Sequence, residues 1–127
     1  MTIGKLINHS KIRLMTEQTI LLEKYDNSIA VITFNRPQSL NAMDIASMQL
    51  FADTIDAVAQ DDRLQVLILT GAGDRAFSTG GDLNELATKN TEADARHFIT
   101  IMGDALLKME QLPIPVIAAV NGYALGG

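Results

Sequence analysis

Runs of β-branched and apolar residues alternate with helical-period segments along this 127-residue chain, and two uninterrupted apolar runs each lead into a glycine-rich loop. The order strand, helix, strand, helix, strand predicts an α/β domain built from parallel crossovers. A chain of this length buries one core.

The elements follow in order. Ile20 to Tyr25 and Ile29 to Phe34 are strand-like runs separated by Asp26-Asn27-Ser28, a turn-forming cluster, so a β-hairpin is predicted. Asn35-Arg36-Pro37 then breaks the strand. From Asp44 to about Gln60, Ile45, Met48, Phe51, Ala52, Ile55, Val58 and Ala59 recur at helical spacing. Asn41 with Asp44 three residues on reads as a capping pattern at its start, and Asp61-Asp62 ends it. Val66 to Leu69 reads as a strand buried on both faces. Ala76-Phe77-Ser78 is a short extended piece, and a short helix over Leu83 to Leu86 comes after Thr79-Gly80-Gly81-Asp82. Thr91 with Asp94 again looks like a cap. Phe98, Ile101, Met102, Ala105, Leu106 and Met109 then mark one face of a long helix, stopped by Pro113 and Pro115. The methionines at helical spacing fill core gaps. Val116 to Val120 reads as a second buried strand, and the residues from Asn121 to Gly127 as a loop.

Composition narrows the function. Apolar residues make up 47% of the chain, as in a globular protein, and no run approaches the ~20 apolar residues that span a bilayer. A net charge of −5 argues against nucleic acid as a partner, because phosphate binding calls for a basic face. With no cysteine there is neither a disulfide nor a thiolate metal site, and a cytoplasmic location is expected. Residues 1–18 stand apart as a leader expected to be disordered. The first sixteen carry Lys5, Lys11 and Arg13 and no acid. They lack the apolar centre and cleavage site of a secretory signal. A basic, acid-poor mitochondrial presequence, and an upstream start codon ahead of a natural beginning at Met15, are the other readings.

Two parallel strands place their C-terminal ends on one edge of a sheet, where open α/β sheets collect ligands. Each is followed by a loop rich in glycine, around Gly80-Gly81 and around Gly126-Gly127. Glycine lets backbone approach a ligand, and a helix N-terminus adds free N–H groups. Two such loops aiming two N–H donors at one oxygen would make an oxyanion hole. The competing reading is that these glycines only make tight turns.

Three blocks carry a resemblance. Asn35-Arg36-Pro37 with Leu40-Asn41-Ala42-Met43 resembles the NRP-x-x-LNA signature of the crotonase (enoyl-CoA hydratase/isomerase) family. Ala76 to Leu83, AFSTGGDL, is similar to its AF-x-x-G-x-DL signature. Pro113 to Gly127, PIPVIAAVNGYALGG, is similar to its P-x-P-x-I-A-A-x-N-G-x-A-x-GGG signature. They occur in family order, and the likeness runs from about residue 20 to the last. It implies a crotonase-like ββα spiral, with residues 19–127 a partial domain that ends after the strand leading to the second oxyanion-hole loop.

The resemblance also implies an acyl-CoA thioester partner whose enolate oxygen is held by the N–H groups of Gly81 and Gly127. Asp82, Leu83 and Asn84 would line the same pocket. Ser39, Leu40 and Ala42 would lie against the nucleotide and pantetheine, and Phe77, Ser78, Thr79 and Gly80 would shape the adenine and pantetheine side. Tyr123, Leu125 and Gly126 of the second loop would also bind the substrate. No metal, no bound cofactor beyond the coenzyme A of the substrate, and no membrane are implied. The family is usually a homotrimer or a dimer of trimers. Its hydratases carry two glutamates after the third block, so this chain alone is expected to be inactive and to expose apolar surface. An alternative is a non-catalytic acyl-CoA-binding or assembly protein.

Among the acids and bases present, Asp82 is expected to cap the following helix and Asp74 to be solvated. Glu85 either faces the pocket mouth or is a charged, exposed helix residue, the latter being the expectation. His97 is expected to be a surface or packing residue of the long helix rather than catalytic. Arg36 either meets a phosphate or is simply exposed.

Overall fold

The computed structural model describes residues 18–26 and 28–127, so the expected leader lies, but for Gln18, outside the described residues. Two antiparallel strands, β1 (Ile20–Tyr25) and β2 (Ile29–Phe34), form the predicted hairpin, with Ile20 opposite Phe34 and Tyr25 opposite Ile29. A 3-10 turn over Pro37–Ser39 leads to α1 (Ile45–Ala59). Then come β3 (Val66–Gly71), β4 (Ala76–Ser78), α2 (Leu83–Leu86), α3 (Glu92–Glu110), β5 (Val116–Ala118) and β6 (Tyr123–Ala124). The main sheet has the order β1-β2-β3-β5, with β2, β3 and β5 mutually parallel, and β4 and β6 make a separate parallel pair.

The core lies on one face of the main sheet. Ile20, Ala30, Ile32, Phe34, Leu67 and Leu69 meet Met48, Phe51, Ile55 and Val58 of α1 and Phe98 and Ala105 of α3. Phe34 packs on Phe51 with ring centroids 5.6 Å apart. Alternation explains β3: Leu67, Leu69 and Gly71 are buried while Val66, Ile68 and Thr70 are half-buried, so it is not buried on both faces as the apolar run suggested.

The helices start where side chains cap them. Asp44 accepts from Ser47 N, and Thr91 accepts from Asp94 N, satisfying N–H groups that the first turn leaves unpaired. Asn41 does not take part in the α1 cap. It is 1% exposed with φ 56°, and its side chain holds loops instead.

Two further expectations are corrected at the end of the chain. β5 spans only Val116–Ala118 and is not buried: Val116 is half-buried, Ile117 and Ala118 are exposed, and Val120 beyond its end is 57% exposed. An apolar run reports suitability for burial, but a covering layer decides burial itself. The final segment is not all loop, because Tyr123–Ala124 pairs with β4 through Ala76↔Tyr123 and Ser78↔Ala124. With Ile117, Val120, Tyr123 and Leu125 exposed together, the surface around β5 and β6 is apolar, as expected. Among the described residues no helix is long and apolar enough to cross a membrane.

Candidate functional site

Three segments converge at the C-terminal edge of the sheet: the turn at 36–43, the stretch 76–82, and residues 121–127. Asn41 joins the first two. Its Oδ1 accepts from Arg36 N at 3.0 Å, and its Nδ2 donates to Ala72 O at 3.0 Å and Ala76 O at 2.8 Å. Ser78 Oγ donates to Asn41 O at 2.9 Å and accepts from Gly80 N at 3.2 Å. Asn121 fastens the third segment. Its Nδ2 donates to Gly71 O at 2.9 Å and Gly73 O at 3.1 Å, and its Oδ1 accepts from Gly71 N at 3.0 Å. Leu125 N then donates to Ser78 O at 3.0 Å.

The glycines sit where this convergence is tightest. Gly80 has φ 84°, and a Cβ there would lie 2.9 Å from Leu125 O and 3.4 Å from Gly127 N. No other residue fits both that conformation and that approach. Met43 N donates to Gly80 O and Asp82 N donates to Met43 O, each at 2.8 Å. These two bonds form a parallel bridge between Met43 and Gly81. The bonds to Met43 come from the neighbours of Gly81, so the N–H of Gly81 itself faces the other way. Among the described residues neither Gly81 N–H nor Gly127 N–H donates to the protein. Both glycines lie against one face of α3. A Cβ on Gly81 would lie 3.0 Å from Phe98, and one on Gly127 would lie 3.7 Å from Met102, one helical turn further on.

Beside the second loop is an apolar cavity of about 280 Å³. Of the residues singled out from the sequence it takes Phe77, Ser78, Leu125, Gly126 and Gly127. Met43, Met102, Leu106 and Met109 add to its wall. Phe77 packs edge-on against Phe34 at 5.4 Å. Thr79 Oγ1 donates to Leu40 O at 3.3 Å, and Ser39, Leu40 and Ala42 occupy the turn beside it. Leu83, which is 76% exposed, Asn84 and Tyr123 lie at the outside and do not line the cavity.

Asp82 caps α2, accepting from Asn84 N at 2.9 Å and Glu85 N at 3.2 Å, and it also accepts from Arg36 Nη1 at 3.0 Å. Burial pushes its carboxyl up, but these three hydrogen bonds and the guanidinium charge together hold it below the ordinary carboxylate value. Glu85 is not the free surface acid expected. It is half-buried, accepts from Ile45 N at 2.7 Å, and lies 3.5 Å from Lys89 Nζ. Arg36 neither stands exposed nor is free to meet a phosphate, because it donates to Ala42 O at 2.7 Å and pairs with Asp82 and Asp44. Asp74 and His97 are exposed, as expected.

Sequence reasoning missed the roles of Asn41, Asn121 and Arg36. All three lie in the quoted blocks, but only the fold shows which backbone groups each one meets. Among the described residues every buried side-chain nitrogen or oxygen has a partner.

Residues 24–127 match the family described as Enoyl-CoA hydratase/isomerase. The chain belongs to that family. A short-chain-enoyl-CoA hydratase of Clostridium acetobutylicum is 38% identical over 113 residues, which cover 89% of this chain and 42% of the relative. A crotonyl-CoA hydratase of Syntrophomonas wolfei is 38% identical over 114 residues, covering 89% and 43%. The crystal structure of an enoyl-CoA hydratase from Bacillus anthracis superimposes with a TM-score of 0.82 at 36% identity, covering 86% of this chain and 42% of that one. The fold is therefore the crotonase-like one, and this enoyl-CoA hydratase/isomerase family member spans less than half the length of these relatives.

Proposed function

We propose that this chain forms the part of an enoyl-CoA hydratase/isomerase that binds an acyl-CoA thioester and stabilises its enolate oxygen. The observation that carries this reading is the pair of N–H groups, on Gly81 and Gly127, that donate to nothing among the described residues and flank one turn of α3. When a nucleophile adds at C3 of an enoyl thioester, negative charge moves onto the carbonyl oxygen. Two fixed donors meet that charge without reorganising, and removing one from such a site costs about 3–4 kcal/mol of transition-state stabilisation. The apolar cavity beside Gly127 suits the acyl chain.

Hydration also needs a group that deprotonates water and a group that protonates C2. The two carboxylates that follow Gly81 in the chain, Asp82 and Glu85, are already committed to helix N–H groups and to cations. Their engagement supports a binding role for these 127 residues, with the acid and base supplied by the two glutamates that the resemblance expects after the third block. That same commitment favours the second reading, a non-catalytic acyl-CoA-binding or assembly protein.

Infrared difference spectra of crotonyl-CoA carrying a 13C thioester carbonyl test the proposal. A lower carbonyl frequency on binding is the expected result, since two hydrogen bonds weaken the C=O bond. Binding with an unshifted carbonyl would overturn the oxyanion hole, and absence of binding would overturn the acyl-CoA reading altogether.

A further inference from the structure

Arg36 reaches both strands of the short bridge that presents Gly81. Its Nη1 donates to Ala42 O at 2.7 Å and to Asp82 Oδ2 at 3.0 Å, and its Nη2 lies 3.4 Å from Asp44 Oδ2. Ala42 and Asp44 flank Met43, and Asp82 follows Gly81. One planar cation thus grips the residues on either side of one bridge partner and the residue after the other. The two carboxylates it joins are the N-caps of α1 and α2. The backbone N–H of Arg36 is in turn held by buried Asn41.

We propose that Arg36 is a positioning residue for one donor of the pair, Gly81, and leaves the other, Gly127, untouched; this rests on the oxyanion reading above. Mechanically, the guanidinium closes one side of the Met43–Gly81 bridge, so the Gly81 N–H stays turned to the opposite side. Gly127 is placed through contacts that the guanidinium does not make, the Asn121 side chain and the bond from Leu125 N to Ser78 O. The fork geometry matters, because three acceptors on two segments are met by one rigid plane, which an ammonium group does not reproduce.

The two donors can be read separately. The chain has nine glycines, so selective 15N-glycine labelling gives a short spectrum in which Gly81 and Gly127 are followed during titration with crotonyl-CoA. In the unaltered chain both amides shift on binding. In Arg36→Met the Gly127 response is expected to persist while the Gly81 response is at least halved, and Arg36→Lys restores part of it. A merely structural loss would blunt both amides together. Asp82→Asn supplies a second variant, since asparagine caps a helix as well as aspartate does but gives up the charge on Arg36. It too is expected to diminish the Gly81 response selectively, and it decides the matter if Arg36→Met does not fold. A Gly81 response in these variants equal to that of the unaltered chain would overturn the positioning role. An unaltered chain in which neither amide responds would overturn the oxyanion reading itself.

Discussion

Replacing Asn41 by alanine removes three side-chain hydrogen bonds at a position 1% exposed to solvent. Arg36 N–H, Ala72 O and Ala76 O all lose their partner. Leaving a buried polar group unsatisfied costs about 1–3 kcal/mol, and the Ala76 bond is the one of the three that is fully buried. Water reaches the part-buried Arg36 and Ala72 groups and offsets some of their loss. The backbone at φ 56° adds a further ~1 kcal/mol, because asparagine tolerates the left-handed region better than alanine does. The expected destabilisation is therefore about 3–5 kcal/mol, a large share of the roughly 5–15 kcal/mol that holds an ordinary domain together. Urea titration followed by far-UV circular dichroism is the suitable assay, since the chain has no tryptophan. With a slope of about 1–3 kcal/mol per molar urea, the midpoint falls by roughly 2 M. Asn41→Gly separates the two contributions: it loses the same bonds without the backbone penalty and recovers about 1 kcal/mol relative to alanine. A midpoint within about 0.5 M of the unaltered chain would refute the accounting, and identical glycine and alanine variants would refute its backbone part.

Three other perturbations test separate features. Gly80→Ala puts a Cβ 2.9 Å from Leu125 O at a φ of 84°, and should weaken crotonyl-CoA binding by at least about tenfold, ~1.4 kcal/mol, in calorimetric titration; unchanged affinity would show that the two loops need not touch. The lowered Asp82 pKa means that its contribution to stability is complete above the ordinary value of 3.8 and is lost as pH falls through the lower folded-state value. Asp82→Asn should therefore flatten the acid limb of a stability–pH profile, and a limb of unchanged steepness would contradict the linkage. The exposed apolar surface should make the chain associate, and Ile117→Lys with Val120→Lys should lower its sedimentation-average mass; a monodisperse, cooperatively melting unaltered monomer would refute this.

Much of this architecture was legible from local pattern. The hairpin shows in two β-branched runs around a turn cluster, α1 and α3 show in their 3.6-residue period, and Asp44, Thr91 and Asp82 are residues that cap. Less legible was everything defined by a distant partner. β6 has two residues and exists because β4 lies beside it. Asn41 looked like a cap partner because spacing carries no information about groups 31 and 35 residues away. The composition of β5 suits burial, whereas its actual exposure depends on what is packed over it. For the site, the glycines stand out by type, but the two polar side chains bonded to the segments around them, Arg36 and Asn121, each needed a fold to give them their partners.

Under the proposed function, the shortness of β6 would bear on affinity as well as on geometry. Its segment is held by a two-residue strand pairing, the bonds from Tyr123 N to Arg75 O and from Leu125 N to Ser78 O, and the Asn121 side chain, whose partners lie some fifty residues earlier in the chain. Segments with few buried contacts and exposed hydrogen bonds open at low free-energy cost, well below global unfolding. An opening of this segment would take the Gly127 amide out of register, and observed ligand affinity is the intrinsic affinity scaled by the fraction of molecules in the closed state. A ligand bridging Gly81 and Gly127 would close that segment and slow hydrogen exchange along it. Substitutions that strengthen the Asn121 tie would then tighten binding without touching the ligand.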